Sequence, residues 1–145
     1  MPHRVIRSAD QFRGTFLFLA GLMFLPVSIG YLFSDAPLST MHGLEWMPEQ
    51  IRLWHFGAVF APASLTATLV GLFSSRLTRK PQIMGYGYAA AMAPPLIATG
   101  IALVALLHGA PPMVWQSIVA HGSLAAAIYL CSEWPNPAPT PPQVP

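Results

Sequence analysis

The sequence predicts an all-α integral membrane protein, a helical bundle of four transmembrane helices with both termini on the cytoplasmic side. Three observations carry the prediction. Of 145 residues, 54% are hydrophobic and 8% charged, whereas a soluble domain carries about 25% charged residues. Such a chain lacks the polar surface to cover a globule in water. The stretches Gly14 to Ser34, Leu53 to Ser75 and Pro81 to Ser132 contain no Asp, Glu, Lys or Arg. Six of the seven Lys and Arg residues, all but Arg52, gather in two clusters that fall on one side of a four-span bundle, the pattern that sets a cytoplasmic face.

The elements follow in order. Residues 1–13 form a short basic arm with Arg4, Arg7 and Arg13. Span one is Gly14–Phe33. Its apolar run is longer than the 7–15 residues of a signal-peptide core, and Pro37 would follow a cut after Ser34-x-Ala36, so an uncleaved helix is expected. Residues 34–52 form the one external loop of any size. Within it "LEWMPEQIRLWHF" (Leu44–Phe56) reads as an interfacial segment entering span two, Leu53–Phe73. Pro48 suits a first helical turn, Glu49 would sit at the positive helix end, and Arg52 lies three residues on, within pairing reach.

Arg76, Arg79 and Lys80 form the second basic cluster. The charge-free stretch that follows is roughly twice the ~20 residues needed to cross a bilayer. His108-Gly-Ala-Pro-Pro112 cannot continue a helix, so it divides the stretch into spans three, Ile83–Leu107, and four, Met113–Cys131. At about 1.5 Å per residue each span measures about 28–38 Å, enough for a hydrocarbon core of about 30 Å with some tilt. Residues 132–145, with six prolines, form a Pro-rich cytoplasmic tail that is extended and polyproline-like. Trp46, Trp54, Trp115 and Trp134 stand where aromatic side chains anchor a protein at the membrane surface.

Prolines interrupt three spans at what reads as a similar depth: Pro26 in span one, Pro62 in span two, and Pro94 and Pro95 in the run "AAAMAPPLIATG" of span three. Each leaves a carbonyl four residues earlier without its usual partner, and in lipid such a group needs another donor. Ser28, Ser64, Thr66 and Thr99 are near enough in sequence to help. These prolines either kink their helices or act as hinges between tight and open packings. Small residues four apart make flat faces where helices approach closely. They run as Gly57-x-x-x-Ala61 and Ala63-x-x-x-Ala67-x-x-x-Gly71 in span two, Gly85-x-x-x-Ala89-x-x-x-Ala93 in span three and Gly122-x-x-x-Ala126 in span four. Packing within the chain is the expected use of most of them.

Histidine is the plausible carrier of chemistry at membrane depth. His121 lies roughly 12 Å into span four, with Ser117 one turn earlier; together with Gln116 and Ser123 it gives that span a polar stretch. His55 is about 9 Å shallower, so a haem bridging the two is not expected, and His121 is read as a neutral ring hydrogen-bonded to a neighbouring helix or to Ser117. The single Cys131 excludes an internal disulfide and a cysteine metal cage. No Asp, Glu, Lys or Arg lies in any span, where proton relays and ion-coupled carriers usually place such residues. No Gly-rich phosphate loop or nucleophile triad is present. The reading is of a protein that is no enzyme and holds no cofactor or metal. The pI of about 9.0 reflects topology-setting arginines, so no nucleic-acid partner is expected.

The layout resembles the small four-span, holin-like membrane proteins encoded in lysis cassettes of bacteriophages that infect actinobacteria. The likeness lies in the basic arm, a first span ending near "GYLF" (Gly30–Phe33), and an outer loop with "LEWMP" (Leu44–Pro48) leading to Trp54. Span four opens with Trp115, carries Tyr129 near its end and exits through "EWPNP" (Glu133–Pro137). The double proline and His121 match no pattern of that family. The resemblance implies accumulation in the bacterial inner membrane, association into homo-oligomers, and timed permeabilisation or depolarisation during lysis. It lends no catalytic residue. The implied partners are the lipid bilayer, further copies of the chain, and a second small membrane protein. Two other readings stand beside it: a membrane interaction protein serving superinfection exclusion or partner anchoring, and a small-ligand or quinone-binding subunit around His121.

Overall fold

A computed structural model describes residues 2–77 and 81–133, with side chains over 11–77 and 82–132. The described residues form helices joined by turns and irregular loop, with one isolated bridge, between Pro37 and Arg52. The helices are α1 (Pro2–Leu32), α2 (Leu53–Leu72), the short α3 (Ser74–Leu77), α4 (Pro81–Leu107) and α5 (Val114–Glu133). Four of them hold segments long and apolar enough to cross a membrane: Gln11–Leu32, Leu53–Leu72, Gln82–Leu107 and Val114–Ser132. By length and composition this is a multi-pass membrane protein, and the four segments lie within three residues of the expected spans. The basic arm does not stand apart from span one, because α1 runs helically from Pro2. Arg79, Lys80, Trp134 and the Pro-rich segment lie outside the described residues.

The α1–α2 pair is the tightest contact. Gly71 lies against the backbone of Phe18 and Gly57 against that of Tyr31 and Leu32, so close that a Cβ at either position would overlap main-chain atoms. On α1, Gly21 meets the backbone of Ser64 and Thr68 in the same way. Without a hydrophobic drive between helices in lipid, such approach is what gives van der Waals attraction its range. Next, α4 packs on α2, and α5 packs on α4 while touching α1 only lightly. The core of Leu17, Ala67, Val70, Tyr88, Ala91 and Ile128 fills the half of the bundle nearer the chain termini.

The other end is built by two connections. The α4–α5 hairpin stops α4 with a left-handed Gly109 (φ 79°). The Ala110 N–H donates to Ala105 O (3.0 Å) and the Gly109 N–H to Leu106 O (3.1 Å), a Schellman cap that uses up free carbonyls. The 33–52 loop folds onto this hairpin. Trp46 stacks on His108 with ring centroids 4.5 Å apart and planes 6° apart, and its Nε1–H donates to Gly43 O (3.2 Å). Gly43 itself has φ 84° and faces Val114. Trp46 thus ties two connections together, while Trp54 (41% exposed) and Trp115 (57%) turn outward near their helix ends, as interfacial anchors do.

Two expectations about this loop are corrected. Arg52 pairs with Asp35, not Glu49: Nη1 lies 3.1 Å from Asp35 Oδ2 and donates to Asp35 O at 2.6 Å. The segment before Leu53 is not helical, so the three-residue spacing that would have brought Glu49 alongside does not apply. Instead Leu38 N–H donates to Ile51 O and Leu53 N–H to Ala36 O (2.7 and 3.0 Å), which draws the loop's two ends together. Pro48 sits in a turn, its carbonyl accepting from Ile51 N–H at 3.0 Å, and does not open a helix.

The helices stay continuous through Pro26, Pro62, Pro94 and Pro95. Measured from the loop end, these prolines fall about 9, 14 and 18–20 Å along their helices. They are staggered, not level. Pro94 and Pro95 are fully buried, whereas Pro26 and Pro62 are exposed. The neighbouring hydroxyls do not serve the carbonyls those prolines free. Ser28 donates to Phe24 O, Thr68 to Ser64 O and Thr99 to Pro95 O, each at 2.7 Å. The buried Ser64 hydroxyl has no partner among the described residues.

The glycine contacts give the first prediction. Gly71→Ala and Gly57→Ala each force main chain apart and should destabilise the fold by about 1–3 kcal/mol, the usual scale of overpacking. Gly85→Ala, where nothing lies within 4 Å, should leave stability unchanged. Unfolding of the purified protein in detergent, followed by circular dichroism, reads the difference.

Candidate functional site

The loop half of the bundle is hollow. A cavity of about 470 Å³ lies between the four spanning helices under the 38–44 segment. Helix α1 contributes Phe24, Val27, Ser28 and Tyr31; α2 contributes Phe56 and Phe60; α4 contributes Ala98, Ile101, Ala102 and Ala105. From α5 come Val114, Ser117 and His121, and residues from Leu38 to Leu44 form the roof. The cavity exists because α5 rests on α4 and meets α1 only lightly. Small residues on α4 recede where a larger side chain would have filled the space.

Ser117 and His121 are therefore brought together, as their spacing suggested. His121 Nδ1 lies 2.8 Å from Ser117 O and 3.1 Å from Ser117 Oγ. A carbonyl only accepts, so the shorter contact assigns the proton to Nδ1. Phe24 of α1 faces the same ring at 6.0 Å between centroids, the contact that spans the α1–α5 gap. Gln116 and Ser123 are not part of this group; both are exposed. His55 is exposed at the start of α2, stacks on Trp54 at 3.8 Å, and accepts the Arg52 backbone N–H on Nδ1 at 3.1 Å. It acts as a helix cap. Among the described residues no group of three His, Cys, Asp or Glu could hold a metal ion.

The small-residue faces divide by neighbour. Gly57 and the buried Ala67 and Gly71 are used inside the chain, and Ala61 and Ala63 are half-buried beside them. Gly122 faces Thr99 of α4, where an added Cβ would make only ordinary contact (3.9 Å), and Ala126 turns outward. On α4, Gly85 and Ala89 are exposed and Ala93 is half-buried; Gly100 continues that exposed line with nothing within 4 Å. The pattern of small residues four apart did not mark Gly14 and Gly21 of α1, seven apart, which lie against Ser74 of α3 and against Ser64 and Thr68 of α2. It also missed the cavity, whose walls come from five separate segments.

Beside the roof, His42 Nδ1 lies 3.4 Å from Glu45 Oε1, an exposed contact that is ionic when the ring is protonated. Backbone N–H groups of Glu45 and Gly43, with a smaller contribution from His42, hold the Glu45 carboxyl below the usual carboxylate range. A depressed folded value means that the stabilisation is complete above the ordinary carboxylate value of about 4.3. It is lost as pH falls through the lower folded value. The near-UV dichroism of the Trp46–His108 stack should thus weaken on acidification below about pH 4. Glu45→Gln should lack that component of the acid response.

The chain matches no family model, no curated protein and no solved structure.

Proposed function

We propose that this chain is a non-enzymatic, holin-like protein of the bacterial inner membrane, of bacteriophage type. It associates with copies of itself to permeabilise or depolarise the membrane during lysis. The observation that carries the reading is the uncovered line Gly85, Ala89 and Gly100 on α4, open to a neighbouring helix: a Cβ at either glycine would meet nothing within 4 Å outside its own helical turn. Small residues left outward let a second backbone approach closely. The peripheral position of α5, with 11% of its span buried within the chain, adds further surface for neighbours. Spans without Asp, Glu, Lys or Arg suit a protein that acts by assembly and not by relay chemistry. Orientation follows the positive-inside rule: Arg4, Arg7, Arg13, Arg76, Arg79 and Lys80 face the cytoplasm and the roofed end faces outward.

A second reading has its own support. The 33–52 loop is fixed to the hairpin by the Trp46–His108 stack and to itself by the Asp35–Arg52 pair. A preformed outer surface of that kind suits a membrane interaction protein that excludes superinfecting phage or anchors a partner.

Inducing the chain alone in a bacterial host, with membrane potential and culture density followed in time, tests the reading. Abrupt depolarisation is expected from the parent. Gly85→Leu, inserted at a matched level, should lose both depolarisation and cross-linked oligomers. Pro94→Ala/Pro95→Ala tests the hinge: loss of activity in that variant makes the double proline part of the mechanism, and retained activity reduces it to packing. Normal potential despite abundant inserted parent protein would sink autonomous permeabilisation and leave the interaction protein.

A further inference from the structure

The hollow half of the bundle has the form of a binding site. Cavities that hold small molecules measure about 300–1,000 Å³, with mainly apolar walls and a few placed polar groups; this one, at about 470 Å³, has both properties. At about 30 Å³ each, roughly fifteen waters would fill it. Its walls are largely aliphatic and aromatic, and a buried water needs about three hydrogen bonds, so water is a poor occupant. No Asp, Glu, Lys or Arg lines it, so a charged guest would be left unpaired in a low-dielectric space. The lining residues that are also exposed mark its edges: Val27 (52%) on the lateral surface of α1, and Met41 (37%) and His42 on the roof. A guest can come from the bilayer.

The polar groups set the guest's chemistry. With Nδ1 held by Ser117 O at 2.8 Å, the imidazole turns Nε2 away from its own backbone, and Nε2 has no hydrogen bond among the described residues. In that tautomer Nε2 is an acceptor. Ser28 has committed its proton to Phe24 O at 2.7 Å, so its oxygen also offers lone pairs. Tyr31 and His42 also line the cavity, nearer the roof; the acceptors on Ser28 and His121, about one to two helical turns deeper, select a donor.

We infer that the cavity binds one uncharged, hydroxyl-bearing apolar molecule of the membrane phase, of the phenol, quinol or long-chain alcohol class. Its hydroxyl donates to His121 Nε2 and its hydrocarbon part lies against Phe24, Phe56, Phe60 and Ile101. An ether or ketone of the same shape, which has no proton to donate, binds less well. This inference does not depend on the holin-like reading.

The test titrates p-nonylphenol and its methyl ether into the purified full chain in lipid nanodiscs, with empty nanodiscs subtracted. Saturable binding of one phenol per chain is expected, with the methyl ether about three- to tenfold weaker, the scale of one hydrogen bond. The phenol should also move the Nε2 resonance of 15N-histidine-labelled protein, a signal assigned by its absence in His121→Leu. In His121→Leu the two probes should bind equally. Ala102→Phe, which fills the cavity from α4, should abolish binding of both, and Ala98→Leu provides a milder filling should the first variant lose helicity. Binding unaffected by the filling variant that folds, or purely unsaturable partition, overturns the site. A methyl ether that binds the parent as tightly as the phenol overturns the role of His121.

Discussion

The contact between α1 and α2 is the constraint on which the rest depends. At Gly57 and Gly71 the two backbones meet with no side chain between them. Two helices this close leave no freedom of register: a shift by one residue would drive a Cβ into main chain. Because α4 packs on α2 and α5 packs on α4, the positions of the last two helices are inherited from that first pair. The ring closes firmly at three of its four seams. The fourth, between α5 and α1, is bridged in the loop half by Phe24 and His121. Tight packing near the termini and an open seam near the loops thus have one origin.

Polar groups in lipid must find partners within the protein, and this chain mostly finds them locally. Ser28, Thr68 and Thr99 each return a proton to the carbonyl one turn earlier. That arrangement costs no interhelical geometry, which leaves the glycines free to set it. It also leaves the half-buried His121 with its second nitrogen uncommitted, beside a space it does not fill. At the loop end the logic changes. There the Asp35–Arg52 pair is exposed and worth at most about 1 kcal/mol, and the stack of Trp46 on His108 adds a fastening of similar size, about 0.5–1.5 kcal/mol.

The four spans and the hairpin were legible in the sequence because length, charge exclusion and the His108–Pro112 punctuation are local signals. The Ser117–His121 pair was legible for the same reason, four residues being one helical turn. Pairings made across the fold were not. Glu49 was the nearest acid to Arg52 along the chain, but the antiparallel return of the loop brought Asp35 there instead. Small-residue spacing revealed flat faces without naming their neighbours, so Gly57 and Gly85 looked alike; one is crushed against α1 and the other is bare. The cavity had no signature at all. It is an absence between helices, and depends on how lightly α5 meets α1.

Helix α4 holds the two candidate surfaces apart. At 3.6 residues per turn, Gly85, Ala89, Leu96 and Gly100 project to one side, and Ala98, Ile101, Ala102 and Ala105 project about 180° away. The first set is exposed or open; the second lines the cavity. Pro94 and Pro95, fully buried, lie along the helix between the Gly85–Ala89 portion and the cavity walls. A change at Gly85 therefore alters what a neighbouring molecule meets without touching the cavity, and a change at Ala102 does the reverse. Coupling between the surfaces, if assembly responds to an occupant, has to pass through the one stretch of α4 where two successive backbone N–H donors are missing. That stretch is where the helix bends at least cost, so the double proline is the element through which a filled cavity would reach the outer face.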